Sequence, residues 1–381
     1  MRAQGGASAS PLLEVTDLKV YFPIRKGLVF KRTVGAVKAV DGVSLRVGFG
    51  ETVGLVGESG SGKTTLGRAI VQLNRPTSGT IVLDGTDLAA LKAKELVAMR
   101  TRVQMVFQDP FSSLNPRLSV GNIVAEPLVI HKVGNAESRR STVAELLELV
   151  GLQADDARKY PNEFSGGQRQ RIGIARALAL KPQLIVADEP VSALDVSIQA
   201  QIINLLVRLR AEQGLALIFV AHDLGVVRHV SDRVVVMYLG TIVESGMTEE
   251  VFERPLHPYT VALLSADPVP DPKVESQRNR LVLKGDIPSP ASIPSGCRFH
   301  TRCWLREQLG NPEICEHEVP ELRESGPAHS VACHFAEDTT TPVPASSHVA
   351  VTGRDEGEFD APPSSRPVDS LDRPTENGES T

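Results

Sequence analysis

Over its first 255 positions the chain alternates short apolar runs with helical patterns. Val53–Gly57, Val103–Phe107, Leu184–Asp188 and Leu217–Ala221 are apolar runs of strand length. Strands apolar on both faces suit a parallel or mixed sheet covered by helices. Between them the period changes. Ser197–Arg210 carries apolar residues at 198, 202, 203, 205, 206 and 209, a helical stripe, and Gly214 follows as a stop signal. Ala144–Val150 reads as the end of an amphipathic helix closed by Gly151. The alternation predicts an α/β fold. No run of eighteen apolar residues occurs, so the sequence predicts no membrane-spanning helix.

One junction between a strand and a helix carries chemistry. Gly57-Glu58-Ser59-Gly60-Ser61-Gly62-Lys63-Thr64 fits G-x-x-x-x-G-K-[ST], follows the run Val53–Val56 and opens a helical segment, Lys63–Leu73. Gly57, Gly60 and Gly62 let backbone N–H groups turn inward around phosphate oxygens, with Ser59 and Thr65 beside them. The helix N-terminus adds its positive dipole end. Lys63 is expected to reach the β- and γ-phosphates and the Thr64 hydroxyl to ligate Mg2+. The run Leu184–Ala187 ends in Asp188-Glu189, two carboxylates at the C-terminal end of a strand, where ligands sit in open α/β sheets. Asp188 is expected to hold Mg2+ through water, and Glu189 to orient or deprotonate the attacking water.

Composition then divides the chain. Nine of the 26 prolines precede residue 255, and all four cysteines lie between 297 and 333. After Phe335 ten Asp/Glu stand against three Lys/Arg, with few apolar residues, a segment too polar to offset its ordering entropy. The expected organisation is a flexible N-terminus over 1–12, a nucleotide-binding domain over 13–256, a small irregular cysteine-containing domain over 257–335 and a disordered acidic tail over 336–381. The N-terminal ten residues carry one charge and no apolar core, unlike a secretory signal. The formal net charge of −5 argues against a broadly basic nucleic-acid surface.

Ser165-Gly166-Gly167-Gln168 lies 102 residues after Lys63 and is followed by Arg169-Gln170-Arg171. In this order and context it resembles the signature sequence of ATP-binding cassette (ABC) ATPases. The resemblance implies an ABC ATPase core with a mixed sheet and an inserted helical subdomain. It further implies ATP and Mg2+ bound at composite sites, where Ser165–Gln168 face the γ-phosphate held by the opposite subunit. Gln108 is similar to the glutamine that touches Mg2+ and senses the membrane partner. Asp195, in Ser192–Asp195, is similar to the loop that crosses the dimer interface; a helix cap is the alternative. His222 is similar to the histidine that contacts the γ-phosphate. Tyr21 resembles the aromatic that stacks on adenine, with Phe22 the competing candidate.

Past residue 255 the resemblance narrows. Arg254–Thr260, Gly285–Pro290 and Pro294–Cys303 resemble the C-terminal extension of oligopeptide/dipeptide importer ATPases, nearer the family's second ATPase subunit. The implied function is ATP hydrolysis that energises peptide import from the cytoplasmic face of the membrane, as a peripheral subunit. The implied partners are a second ABC ATPase subunit in a heterodimer, two transmembrane permease subunits docking on Asp109–Pro127, and an extracytoplasmic binding protein, with no nucleic acid. The rival is a soluble ABC-type ATPase acting on nucleic acid. It is disfavoured by the single cassette and the absence of an inserted coiled coil.

The cysteines follow Cys297-x5-Cys303-x11-Cys315-x17-Cys333, with no C-x2-C pair of the common zinc spacing. Some members of the resembled family carry a [4Fe–4S] cluster here, and four thiolates suit that stoichiometry. His300, His317, His329 and His334 keep zinc open, and four reduced structural cysteines are the third alternative.

Overall fold

The computed structural model describes residues 10–26, 32–192, 194–266 and 281–339. The chain enters through β1 (Leu13–Lys26) and β2 (Arg32–Val47), then β3 (Thr52–Val56), whose five residues are all buried. Helix α1 (Lys63–Ile70) follows β3, and β4 (Ser78–Leu83) and β5 (Thr86–Asp87) return to β1. The result is a four-stranded antiparallel sheet in the order β2-β1-β4-β5.

The second sheet is the frame of the site. Helix α2 (Ala93–Met99) leads into β6 (Val103–Val106); β7 (Leu184–Asp188), β8 (Ala216–Val220) and β9 (Arg233–Tyr238) complete, with β3, a parallel core in the order β9-β3-β8-β7-β6. The apolar runs expected as strands appear there, each within one residue of its expected start. Alternate residues of each strand feed opposite layers. Ile185, Ala187, Leu217 and Phe219 join one apolar cluster, and Leu184, Val186, Ala216 and Ile218 join the other. The second cluster also takes Leu66 and Ile70 of α1 and the inner face of the antiparallel sheet.

Between β6 and β7 the chain builds the expected helical insertion. Helices α3 (Pro110–Ser113), α4 (Val120–Ile130), α5 (Ala136–Leu149) and α6 (Gly166–Leu178) bury Val124, Leu128, Leu147, Ile172 and Leu178 in the first cluster. Gly151 (φ 79°) follows α5 as the sequence suggests. Helix α7 (Val196–Gln213) ends on Gly214 in the left-handed region, and α8 (Leu224–Val230) precedes β9.

The C-terminal segment is built onto this frame rather than standing apart. Strand β10 (Thr241–Met247) runs antiparallel to β9; α9 (Thr248–Glu253) and α10 (Pro258–Ala266) follow. Strands β11 (Arg323–Gly326) and β12 (His329–Val331) extend the same sheet past β10. Tyr259, Leu264 and Phe299 belong to the cluster that covers the parallel strands, so residue 256 does not separate two cores. Inside the joint, the buried Glu244 carboxylate accepts from Leu256 N (2.7 Å) and His257 N (2.9 Å) and pairs with His329 Nε2 (2.8 Å). Of the expected flexible N-terminus, residues 1–9 lie outside the described residues, while Leu12 is buried. Of the expected tail, Ala336–Asp338 form one 3-10 turn, and 340–381 lie outside the described residues.

Candidate nucleotide site

The loop 57–62 connects the C-terminal end of β3 to α1. Two of its glycines are obligatory. Gly57 (φ 145°) lies against the Met237 carbonyl and Gly62 (φ 106°), the N-cap of α1, against the Ala39 carbonyl; a Cβ at either would collide with backbone. The Lys63 ammonium is buried and donates to Gly57 O (2.6 Å), Glu58 O (3.0 Å) and Ser61 Oγ (3.5 Å). Burial lowers its pKa, opposed by the Glu189, Asp188 and Glu58 carboxylates. A cavity of about 510 Å3 opens over the loop, lined by Ser59, Gly60, Gly62, Lys63, Thr64 and Thr65.

One other strand, β7, delivers two carboxylates beside the loop. At the end of β7, the Thr64 hydroxyl donates to Asp188 Oδ1 (2.8 Å), while Asp188 Oδ2 is buried without a hydrogen-bond partner. Burial pushes the Asp188 carboxyl up, partly offset by Thr64. Mg2+ is held through one or two carboxylates plus substrate phosphates. An unpartnered buried carboxylate oxygen beside a threonine hydroxyl fits that requirement. Glu189 lines the cavity, and its Oε2 accepts from Gln108 Nε2 (2.8 Å) and lies 3.5 Å from His222 Nδ1. Gln108 comes from the end of β6 and His222 from the end of β8, so three adjacent parallel strands converge on one carboxylate. Glu189 holds φ 42°, a left-handed conformation that a non-glycine residue adopts at a cost of about 1–3 kcal/mol when its surroundings fix it. Its N–H donates to Val220 O (2.9 Å) and its C=O accepts from Ser192.

The aromatic at the cavity is Phe22, with Val37 and Ala39. Tyr21, expected to stack on adenine, is not among the lining residues, and that expectation is corrected. Neighbouring strand residues face opposite sides, and the Tyr21 hydroxyl donates to the Asp41 carboxylate, beneath the Lys38 ammonium 5.7 Å from the ring. Burial and Asp41 push that hydroxyl up to about 12. Pro290, from the C-terminal segment, also lines the cavity, and its carbonyl accepts from Lys38 N (3.1 Å).

Ser165–Gln168 and Asp195 are not among the residues lining the cavity. Ser165 caps α6, its hydroxyl accepting from Gln168 N (3.4 Å) while Gln168 Oε1 accepts from Ser165 N (3.0 Å). A Cβ on Gly166 would press on Leu194 and one on Gly167 would collide with Ile198, so close packing under α7 already favours glycine at 167. Asp195 sits at the N-cap position of α7, exposed, and its side chain makes no cap hydrogen bond.

Beyond Gln108 a second cavity, about 560 Å3, is bounded by Arg68, Arg100, Phe107, Gln108, Asp109, Glu126, Pro127 and Arg176. It follows the segment expected to dock a membrane partner.

The four cysteines line one small cavity with His257, His300 and His334. All four are free thiols. Burial pushes Cys297 and Cys333 up to about 12 and Cys303 up to about 11. The cavity measures about 20 Å3, room for about one water. Among the described residues no three His, Cys, Asp or Glu side chains are grouped to hold a metal ion. The expectation of a [4Fe–4S] cluster or a zinc ion is therefore unsupported.

The sequence offers Phe22 only as the competing aromatic, and it does not single out Pro290 or two residues that reach the loop from the C-terminal segment, Tyr259 and Arg302. Their partners lie too far along the chain for spacing to reveal them.

Comparison with known proteins finds two family regions. The ABC transporter family model matches residues 40–192, and the oligopeptide/dipeptide transporter C-terminal region model matches 243–309. The oligopeptide transport ATP-binding protein AppF of Bacillus subtilis is 54% identical over 330 residues, covering 86% of this chain and 98% of that protein. The oligopeptide transport ATP-binding protein OppF of Escherichia coli is 52% identical over 324 residues, covering 84% and 95%. Among solved structures, the dimeric post-hydrolysis ATP-binding cassette MJ0796, bound to ADP and Pi, aligns with a TM-score of 0.55 at 32% identity, covering 62% of this chain and 98% of that one.

Proposed function

The chain belongs to the ABC transporter ATP-binding proteins of the oligopeptide branch, and from that premise we propose that it hydrolyses ATP to drive a peptide importer. The observation that carries this is the convergence of Gln108, Glu189 and His222 on the cavity over the phosphate loop, with Asp188 joined to it through Thr64. In this reading Lys63 and the loop N–H groups hold the β- and γ-phosphates. Thr64, Asp188 and Gln108 hold Mg2+, which supplies charge neutralisation on the transferring phosphoryl group. Glu189 accepts the proton of the attacking water, and His222 orients against the γ-phosphate. Phe22 takes the adenine face. Catalysis is then positioning and electrostatic stabilisation.

The signature residues Ser165–Gln168 and Asp195 are absent from this chain's own cavity, which supports a composite site completed by a second cassette. MJ0796 is dimeric in the aligned structure. We propose a related ATPase subunit as the partner, with two permease subunits docking at the cavity beside Asp109–Pro127 and an extracytoplasmic binding protein delivering peptide. Among the described residues no helix is long and apolar enough to cross a membrane, which suits a peripheral subunit reached through the permeases at the cytoplasmic face. The nucleic-acid rival gains no support; the relatives above are named for oligopeptide transport.

The test is ATP hydrolysis by the subunit reconstituted in vesicles with its permeases and binding protein. Stimulation by peptide-loaded binding protein supports the reading; stimulation by nucleic acid in its place refutes it. We read the cysteines as reduced thiols, Cys315 and Cys333 buried and Cys297 and Cys303 partly buried. Iron and zinc well below one per chain after anaerobic purification agrees with this, and about four irons per chain overturns it.

A further inference from the structure

Glu58 is the second residue of the phosphate loop, and all three of its polar groups are held. Its carbonyl accepts from Lys63 Nζ at 3.0 Å, inside the loop. Its other two groups are held by the C-terminal segment. The Glu58 N–H donates to the Tyr259 hydroxyl at 2.7 Å. The Glu58 carboxylate takes a two-pronged contact from Arg302, Nη1 to Oε2 at 2.8 Å and Nη2 to Oε1 at 3.2 Å.

Both holding residues are themselves fixed. Tyr259 is fully buried in α10, and its ring packs at 4.7 Å from Tyr238 and 5.4 Å from Phe299. The Arg302 side chain is 7% exposed, and Nη1 also lies 3.5 Å from the Tyr238 hydroxyl. The Trp304 indole N–H donates to Pro258 O (2.9 Å), tying the start of α10 to the turn that carries Arg302. A forked guanidinium–carboxylate pair fixes direction as well as distance. A loop whose N–H groups must point at phosphate loses rate steeply when displaced, since about 1 Å of misplacement can cost 10²-fold.

We propose that Tyr259 and Arg302 are positioning residues of the ATPase, setting the phosphate loop through Glu58, so that the C-terminal extension is part of the nucleotide site. This rests on the reading that 57–64 holds the nucleotide phosphates. Neither residue touches nucleotide; each acts through Glu58.

The test uses the full chain for MgATP binding and the reconstituted transporter for hydrolysis. Tyr259→Phe keeps the ring packing and removes only the acceptor. It should weaken ATP binding and lower kcat/KM about tenfold, the scale of a buried N–H left unpaired. Arg302→Gln should do the same, Arg302→Lys should recover part of the loss, and Glu58→Gln with Arg302→Gln should be no worse than either alone. A change in KM separates positioning from a folding defect, which lowers the amount of active protein and leaves KM alone. The inference is overturned if Tyr259→Phe and Arg302→Gln leave KM and ATP affinity within twofold of the parent, or if activity falls only with the folded fraction. Lys63→Ala is the control. If it binds ATP normally, the phosphate-loop reading itself fails. If it loses ATP while Tyr259→Phe and Arg302→Gln do not, only this inference fails.

Discussion

Glu189→Gln isolates proton acceptance from every other property of that position. The amide has nearly the same shape, and its oxygen can still accept from Gln108 Nε2, now 2.8 Å away. The backbone cost at φ 42° is common to both residues, so the substitution leaves it unchanged. Lys63 loses one of three carboxylates that favour its charged form and keeps Asp188 and Glu58. ATP affinity should therefore change by no more than a few-fold. Turnover should not survive, because the amide takes no proton from water. A positioned general base contributes about 10²–10⁴-fold, or about 2.7–5.5 kcal/mol of barrier. The assay is single-turnover hydrolysis of MgATP alongside equilibrium binding, with the partner cassette carrying its own inactivating substitution so that one composite site is read. A rate within threefold of the parent refutes the assignment of Glu189. Equal losses of binding and rate would also refute it, since they would place the residue in ATP binding rather than in chemistry.

Lys63→Ala should lower turnover by about 10²–10³-fold and weaken ATP binding, measured by titration of the full chain; unchanged values would remove Lys63 from the phosphate site. A pH effect follows from His257, which is fully buried, whose Nδ1 accepts from Tyr259 N (3.0 Å), and whose pKa burial lowers from 6.5 to about 3. The unfolded chain therefore binds a proton that the folded chain refuses between those values. Stability contributed by the neutral ring is present above pH 6.5 and is lost as pH falls toward 3, at about 1.4 kcal/mol per unit, or about 2 kcal/mol by pH 5. Urea unfolding at pH 7 and pH 5 should show it, and His257→Gln should remove that share of the slope.

What the sequence could convey was short-range. The phosphate loop, the strand ending in Asp188-Glu189 and the stop signals at Gly151 and Gly214 each occupy a few consecutive positions, and each stands where expected. The adenine side was harder. Tyr21 and Phe22 lie next to each other on β1, and which of them faces the cavity depends on the register with β2, where Tyr21 stands opposite Lys38 and Phe22 opposite Val37. The first half of β2 is largely exposed, so no apolar alternation announces it. The contacts of Glu58 with Tyr259 and Arg302 span 201 and 244 positions, and nothing local in either stretch encodes them. The cysteines show the opposite failure. Their convergence on one cavity suits the expected stoichiometry, but among the described residues no grouping that could hold a metal ion is found.

The ribbon of β11 and β12 has a consequence beyond the site. It occupies the hydrogen-bonding flank of β10, pairing Val331 with Glu244 and Ser330 with Ser245, while Ala332 N donates to Val243 O (2.8 Å). An uncovered strand flank recruits other chains, and short, charged outermost strands are a common protection. Here the outermost strand is four residues long and carries Arg323 and Glu324. A chain cut before Arg323 would expose Thr241–Met247, with the buried Glu244 carboxylate stripped of His329, as a template for self-association. The C-terminal ribbon thus also guards the solubility of the whole cassette.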